Sequence, residues 1–282
     1  MEIKVSLVVS TYGRYEELKE LFDSLLKQDY SRENFEVIVI DQNDVIDLSP
    51  LIAHYKADLI LNHYKTDVKG LSKAKNKGVE LARGEIITFP DDDCAFYPNT
   101  ISSALTFFEN NSTVDIVFGS VLYGNLYKND QLEVASKSLK LNSFNFSFYY
   151  SAITCFTRIK AIKFDENYGV GSKIASGEEF DYVINSINRN YNVYYCSLIQ
   201  VWHPILGVST MPNEKVYKYA YGYAAIIRKN LNFSLFVLLL FSFSYQLLRF
   251  FLNLQNKSRK KYLLAMSGRL DGFFNNKIKI FK

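Results

Sequence analysis

The stretch Ala82–Cys94, ARGEIITFPDDDC, decides how this chain of 282 residues is read. Four strand-forming residues, Ile86 to Phe89, run into Pro90, and Asp91, Asp92 and Asp93 follow at once. Proline ends a central strand, so a buried strand delivers three acids to its C-terminal end. In open α/β sheets that end faces the ligand crevice. Neighbouring carboxylates roughly 6 Å apart repel by about 3 kcal/mol at an effective dielectric near 20, and by well under 1 kcal/mol in water. An exposed turn tolerates the triplet, whereas a cleft needs a cation. Hard oxygen ligands of this kind suit Mg²⁺ or Mn²⁺, with a diphosphate supplying further oxygens. The triplet therefore reads either as a solvated acidic turn or as a metal site.

Upstream, GLSKAKNKG (residues 70–78) opens a helix, with Ser72 as its N-cap and Gly84 as its stop. Lys73, Lys75 and Lys77 crowd the first turns, where the helix dipole disfavours cations. They mark either a nearby anion such as a diphosphate or an ordinary lysine-bearing surface. Earlier still, VSLVVS (5–10) is a first buried strand and Thr11 to Arg14 a loop. Leu18, Leu21, Phe22, Leu25 and Leu26 recur at helical spacing, and FEVIVI (35–40) is a second strand that ends on Asp41. An acid there can accept from a ribose or base, or simply cap a turn. Ala57 to Asn62 is a third strand.

Downstream, Pro98 starts a helix carrying Ile101, Leu105 and Phe108, and Ile116 to Leu122 is a strand. Asn125 to Asn145 reads as a polar surface excursion, and Phe148 to Phe156 returns to strand character. GEEFD (177–181) opens a helix with Val183, Ile184 and Ile187 on its apolar side. Its acids, Glu178, Glu179 and Asp181, are either dipole partners or the source of a general base. Val193 to Val201 is the last strand. His203, just beyond it, is either structural or a nitrogen ligand for a divalent metal.

Composition excludes several classes. At 48% hydrophobic and 22% charged the chain is not disordered. A net charge of +4, with no arginine-rich stripe in the first two hundred residues, argues against nucleic acid as a partner. Cys94, Cys155 and Cys196 lack metal spacing and read as reduced, buried thiols. No signal peptide opens the chain, so the expected location of the catalytic part is the cytoplasm.

Residues 1–205 form one expected domain and 206–282 a helical tail with an apolar segment at 231–252. LNFSLFVLLLFSFSYQLL (231–248) carries no charge. As a helix it extends about 27 Å, just short of a ~30 Å hydrocarbon core. Arg228 and Lys229 precede it, while Arg249, Lys257, Arg259, Lys260 and Lys261 follow. The positive-inside tendency keeps both flanks cytoplasmic, which disfavours a single span. The expectation is an interfacial helix followed by an amphipathic one around Tyr262 to Phe274, both on anionic headgroups. A buried helix of a larger core is the alternative.

Taken in order, STYGR at 10–14, strand-end Asp41, GLSKAKNKG, GE with FPDDDC, GEEFD and the late His203-Pro204 pair resemble the inverting family 2 glycosyltransferases of the GT-A fold. The resemblance implies an α/β fold with a Rossmann-like, mostly parallel central sheet flanked by helices, followed by a helical, membrane-associating tail. It implies a metal-dependent transferase, using Mn²⁺ or Mg²⁺, that moves sugar from a nucleoside diphosphate sugar donor to an acceptor hydroxyl. The acceptor would be a saccharide or lipid-linked saccharide in bacterial surface polysaccharide synthesis, with membrane lipids as further partners on the cytoplasmic side of the cell membrane. Thr11, Tyr12, Arg14, Asp41, Lys73, Lys75, Asn76, Asp91 and Asp92 would line the donor site. Asp91, Asp93 and His203 would hold the metal, and Glu179 would be the base, supported by Glu178 and Asp181. Gly13, Lys75 and Glu179 stand where the family more often has Asn, Arg and Asp. The rival classes are another metal-dependent nucleotide enzyme, such as a nucleotidyltransferase, and a non-catalytic nucleotide-binding scaffold at the membrane.

Overall fold

The runs VSLVVST and FEVIVID have no polar face, and a strand of that kind must be covered on both sides. In the computed structural model, which describes residues 2–124, 127, 134–205, 211–252 and 256–279, they form neighbouring strands β1 (Val5–Thr11) and β2 (Phe35–Asp41). With β3 (Ile60–Lys65) and β4 (Ile86–Thr88) they pair in parallel in the order β3-β2-β1-β4. The helices α1 (Glu16–Leu25), α2 (Ser49–Tyr55) and α3 (Leu71–Leu81) are the crossovers between them. Leu18, Leu21, Phe22 and Leu25 of α1 are buried with Val5, Leu7 and Val37 in the main core. Gly78 explains itself here: α3 lies so close to β1 that a Cβ at that position would fall 2.1 Å from Val8 Cγ1.

Beyond β4 the sheet turns mixed. It continues through β5 (Ala95–Phe96), α4 (Thr100–Asn110), β6 (Ile116–Gly124), β7 (Ser138–Lys140), β8 (Phe156–Thr157) and β9 (Val193–Pro204). The order from β4 is β8-β6-β9-β5: β8 is antiparallel to β4 and β6, while β6 and β9 run parallel. By internal contacts the chain falls into two compact units, Met1–Lys163 with Ser186–Ile205, and Phe164–Asn185 with Leu206–Lys282. The segment Phe164–Asn185 thus groups with the C-terminal residues, a feature absent from the sequence reading.

Three local expectations are corrected. Ser72 does not cap α3: the helix begins at Leu71 after Gly70, whose φ of 131° suits glycine, and the Gly70 N–H donates to Gln42 Oε1 at 2.7 Å. The third strand starts at Ile60 rather than Ala57, because 56–59 finish the α2 turn through bonds to the Ile52 and Tyr55 carbonyls. Phe148 to Phe156 is not a strand but two short helical turns, Phe146–Phe148 and Ala152–Thr154, leading into β8. Asn142 Oδ1 accepts from the Phe144 and Asn145 amides, and such local bonds compete with a ladder. Of the excursion expected at 125–145, only 127 and 134–145 fall within the described residues, and β7 lies there.

The second unit is helical. It carries the start of α5 (Glu178–Asn188), then α6 (Asn213–Lys229), α7 (Phe233–Leu252) and α8 (Asn256–Phe273). Two small residues one turn apart let α8 approach α6: a Cβ on Gly268 would lie 2.5 Å from the Tyr217 carbonyl oxygen, and one on Gly272 2.2 Å from that of Tyr221. Ala265 of α8 is buried with Val216 and Ala220 of α6 while Leu263 and Leu270 are exposed, so the helix expected at 262–274 packs one side onto α6. Along α7, Leu235, Leu238 and Leu239 are buried, whereas Phe233, Phe236, Val237, Leu240, Phe241, Leu248 and Phe251 are exposed. Among the described residues α7 is the one helix long and apolar enough to cross a membrane.

Candidate active site

The C-terminal ends of three adjacent parallel strands supply the framework. Thr11 ends β1 opposite Asp41 of β2, and an isolated bridge beyond Pro90 pairs Ser10 with Asp91. Strand β5 then starts two residues after Asp93. It pairs antiparallel with the end of β9, Ala95 opposite Trp202 and Phe96 opposite Val201, and this brings His203 back to the acids.

Asp91, Asp93 and His203 each present one ligand atom, all within 4.8 Å of one another. Two ligands about 2.1 Å from one ion are at most about 4.2 Å apart, so a small closure suffices for coordination. The tautomer also fits. His203 Nδ1 donates to the Pro204 carbonyl at 2.8 Å, and Nε2 faces Asp93 Oδ1 at 3.4 Å. Fixing the Nδ1 proton leaves the Nε2 lone pair for a cation, as in carbonyl-oriented metal histidines.

Arg14 supplies the cation that a cleft filled with carboxylates requires. Its Nη1 lies 2.7 Å from Asp92 Oδ1 and 2.6 Å from Asp93 Oδ2. Burial works against charge on all these groups, with different outcomes. Burial prevails at Asp92, whose pKa is raised despite Arg14. At Asp93 it is outweighed by the His203 hydrogen bond and the Arg14 charge, and the pKa is lowered. His203 is raised: burial opposes the imidazolium, but the Asp93 bond, the Pro204 carbonyl and the acid charges overcome it. The adjacent Cys94 thiol is pushed well up by burial and then by the three aspartates, so it is no nucleophile. All three cysteines are buried thiols outside any disulfide, as expected.

The donor-side residues divide by exposure. Asp41 is fully buried: Oδ1 accepts from the Asn43 amide at 2.8 Å and from Asn43 Nδ2 at 2.7 Å, and Oδ2 accepts from His63 Nε2 at 2.9 Å. Asn43 Oδ1 in turn accepts the Gly13 N–H at 2.6 Å, tying the loop after β2 to the loop after β1. Tyr12, by contrast, is 60% exposed, with the Lys69 ammonium 5.0 Å from its ring centre. Lys75 and Asn76 are buried while Lys73 is exposed, so the expected lysine row on α3 is split between interior and surface. His63, Asn43 and Gln42 were missed as site residues. Asn43, two positions past a strand-end acid, had the only local signal, an Asx-type turn.

In the second unit, Glu178 and Asp181 are buried and Glu179 is half-buried. Asp181 is held by Lys229 Nζ at 2.8 Å and Asn230 Nδ2 at 3.0 Å, and Lys229 also pairs with Asp165 at 2.7 Å. That network makes Asp181 a structural acid of the α5 to α6 packing. Of the three acids, Glu179 is the one with side-chain surface.

The family model described as Glycosyl transferase family 2 matches residues 6–174, more than half of the chain, and the chain belongs to that family. A relative from Rickettsia bellii, an uncharacterized glycosyltransferase, is 33% identical over 113 residues, which are 40% of this chain and 16% of the relative. The match to this relative and to two others from Rickettsia spans 16–18% of their length. Among solved structures, Staphylococcus aureus TarS 1–349 in complex with UDP-GlcNAc superposes with a TM-score of 0.61 at 19% identity, covering 96% of this chain and 82% of that one. The mannosyltransferase PcManGT from Pyrobaculum calidifontis, in complex with GDP-Man and Mn²⁺, gives 0.66 at 13% identity, covering 98% and 89%. These likenesses bear out the expected GT-A fold.

Proposed function

We propose that this chain is a metal-dependent, inverting glycosyltransferase that moves a sugar from a nucleoside diphosphate sugar to a hydroxyl of a lipid-linked saccharide, in surface polysaccharide synthesis. The observation that carries the reading is the convergence of Asp91, Asp93 and His203 at the strand ends, beside Asp41 and Tyr12, in a chain of this family. Two oxygens and one imidazole nitrogen suit Mn²⁺ better than Mg²⁺, which prefers oxygen alone. A bound ion there would neutralise charge on a diphosphate leaving group. The chain's own residues do the rest: Arg14 orients Asp92 and Asp93, Tyr12 offers a ring face to a base, and exposed Lys73 adds positive charge for the diphosphate. Glu179 takes the proton of the acceptor hydroxyl as that oxygen attacks the anomeric carbon in line, inverting it.

Nucleoside diphosphate sugars are expected to raise the melting temperature only with Mn²⁺ present; a ligand at a hundredfold its Kd stabilises by about 2.7 kcal/mol, several degrees for a chain of this size. A screen of uridine, guanosine, thymidine and cytidine diphosphate sugars reads this out. Release of pyrophosphate instead of nucleoside diphosphate on turnover would assign the site to nucleotidyl transfer.

The reading includes attachment to the cytoplasmic face of the cell membrane through α7. Its exposed side is mostly apolar, broken by Ser244 and Arg249, and soluble surfaces rarely keep so long a patch uncovered. Replacing Phe236, Leu240 and Phe251 together by Asp removes three exposed apolar side chains and adds negative charge. Partition onto anionic vesicles should drop at least about a hundredfold, since each buried side chain is worth ~1.5–3 kcal/mol. Flotation of the variant at wild-type levels contradicts the arrangement.

A further inference from the structure

Single apolar side chains on a protein surface need no explanation. Tyr123 is set apart by what it touches. It is 65% exposed near the end of β6, and the strand register pairs it with His203 of β9. Directly opposed residues of neighbouring strands point to the same face of a sheet, so the phenol ring stands on the face that carries the imidazole of the acid and histidine triad. The two ring centres are 6.0 Å apart and the planes meet at 75°, an edge-to-face contact. Among the described residues the imidazole is the one ring that Tyr123 meets, and its hydroxyl makes no hydrogen bond there. A tyrosine that closes a core buries its ring and finds a partner for its O–H. Tyr123 does neither.

The order of the strands says which part of a substrate this ring meets. Strands β1, β2, β4, β6 and β9 all end at one edge of the sheet, because the two antiparallel pairings made by β8 return β6 to the direction of β4, and β9 runs parallel to β6. Asp41 and Tyr12 stand at the ends of β2 and β1, and the acids follow β4. Tyr123 is further along the same edge: three strand steps of about 4.8 Å separate β6 from β1. A base on Tyr12 and a diphosphate at the acids leave Tyr123 to face what lies beyond the diphosphate. In a nucleoside diphosphate sugar that is the sugar, with the acceptor next to it. The ring suits either one. Its electron-rich face attracts the weakly positive C–H hydrogens along one side of a pyranose, and small-molecule sites commonly combine such an aromatic wall with a few polar groups, here the acids and the imidazole.

We infer that Tyr123 is the platform on which a pyranose ring of the substrate lies, either the transferred sugar or the sugar that receives it. The inference rests on the transferase reading proposed above and adds to it a residue that binds sugar rather than nucleotide.

Titrations of the full chain with Mn²⁺ present test it, using uridine and guanosine diphosphates, UDP-GlcNAc and GDP-mannose. The methyl glycosides of glucose, N-acetylglucosamine and mannose are then added to protein saturated with the diphosphate. Tyr123→Leu keeps an apolar side chain on the strand but removes the ring face, and Tyr123→Trp keeps a face. Both diphosphates should bind Tyr123→Leu as they bind wild type, and the melting temperature should hardly move, since the ring is exposed. Sugar binding should fall about tenfold in Tyr123→Leu and recover in Tyr123→Trp. A loss among the nucleotide sugars assigns the ring to the donor sugar, and one among the methyl glycosides assigns it to the acceptor. Should Tyr123→Leu fold poorly, Tyr123→Thr, a good strand former without a ring, takes its place. Equal sugar affinities in wild type and Tyr123→Leu overturn the inference. So does a wild type that takes nucleotide sugars no more tightly than the diphosphates and no methyl glycoside at all. Weaker binding of the diphosphates themselves by Tyr123→Leu also overturns it, giving the ring to the nucleotide or to the histidine. Absence of diphosphate binding by wild type is a different failure, which removes the transferase reading and this inference with it.

Discussion

Asp93→Asn is expected to reduce turnover by about three orders of magnitude or more and to abolish the Mn²⁺ dependence of nucleotide binding. Asp93 meets Arg14 Nη1 at 2.6 Å and His203 Nε2 at 3.4 Å and contributes to the acid and imidazole triad. Asparagine keeps the shape and one acceptor but removes the charge on which both cation contacts depend. Some stability goes with it. The folded pKa of Asp93 lies below its unfolded value near 3.9, so its contribution is present above that pH and lost as pH falls through the folded value. A melting curve at neutral pH should show a modest drop in an otherwise folded protein, separating lost chemistry from lost fold. Asp92→Asn is the contrast. Its pKa is raised by burial, so neutralising it costs little stability and leaves the triad intact. Wild-type turnover in excess chelator removes the metal from the mechanism.

Glu179→Gln should lower kcat by about 10²- to 10⁴-fold while leaving donor affinity near wild type, the signature of a base that acts on the acceptor. Glutamine is isosteric, and the side chain is only half-buried, so the fold should not respond. Asp181→Asn should behave the other way round. It loosens the bonds to Lys229 and Asn230, at about 1–3 kcal/mol, with kcat little changed per folded molecule. Single-turnover rates and melting temperatures on the two variants decide between them. If Asp181→Asn removes chemistry at unchanged stability, the base lies two residues further along α5 than proposed.

The parallel half of the sheet was legible because a strand covered on both faces has no alternation to blur it. VSLVVST and FEVIVID read as continuous apolar runs and form β1 and β2 almost to the residue. The acids after Pro90 were legible for the same reason, since a proline stop after IITF puts the next residues at a strand end. Partners set by topology were not. Nothing near His63 in sequence announces Asp41, and nothing near Gly70 announces that Gln42 accepts its amide just ahead of α3; both contacts join β2 or the loop after it to residues on or beyond the neighbouring β3. The α8 helix shows the same limit. Its apolar and basic residues suggested a surface helix, but Gly268 and Gly272, which bring it onto α6, carry no hydropathy for a pattern to register.

The two-residue strand β5 has a consequence in time as well as in space. Asp91 and Asp93 leave the ribosome about a hundred residues before the imidazole that completes their triad, which belongs to β9 and is held there by pairing of Ala95 and Phe96 with Trp202 and Val201. At roughly 5–20 residues per second a nascent chain spends several seconds with its acids made and their third member still unsynthesised. During that interval Arg14 is the cation within reach and offsets only part of the charge of the three acids, and the site proposed to hold a divalent ion is complete only with the last strand of the sheet.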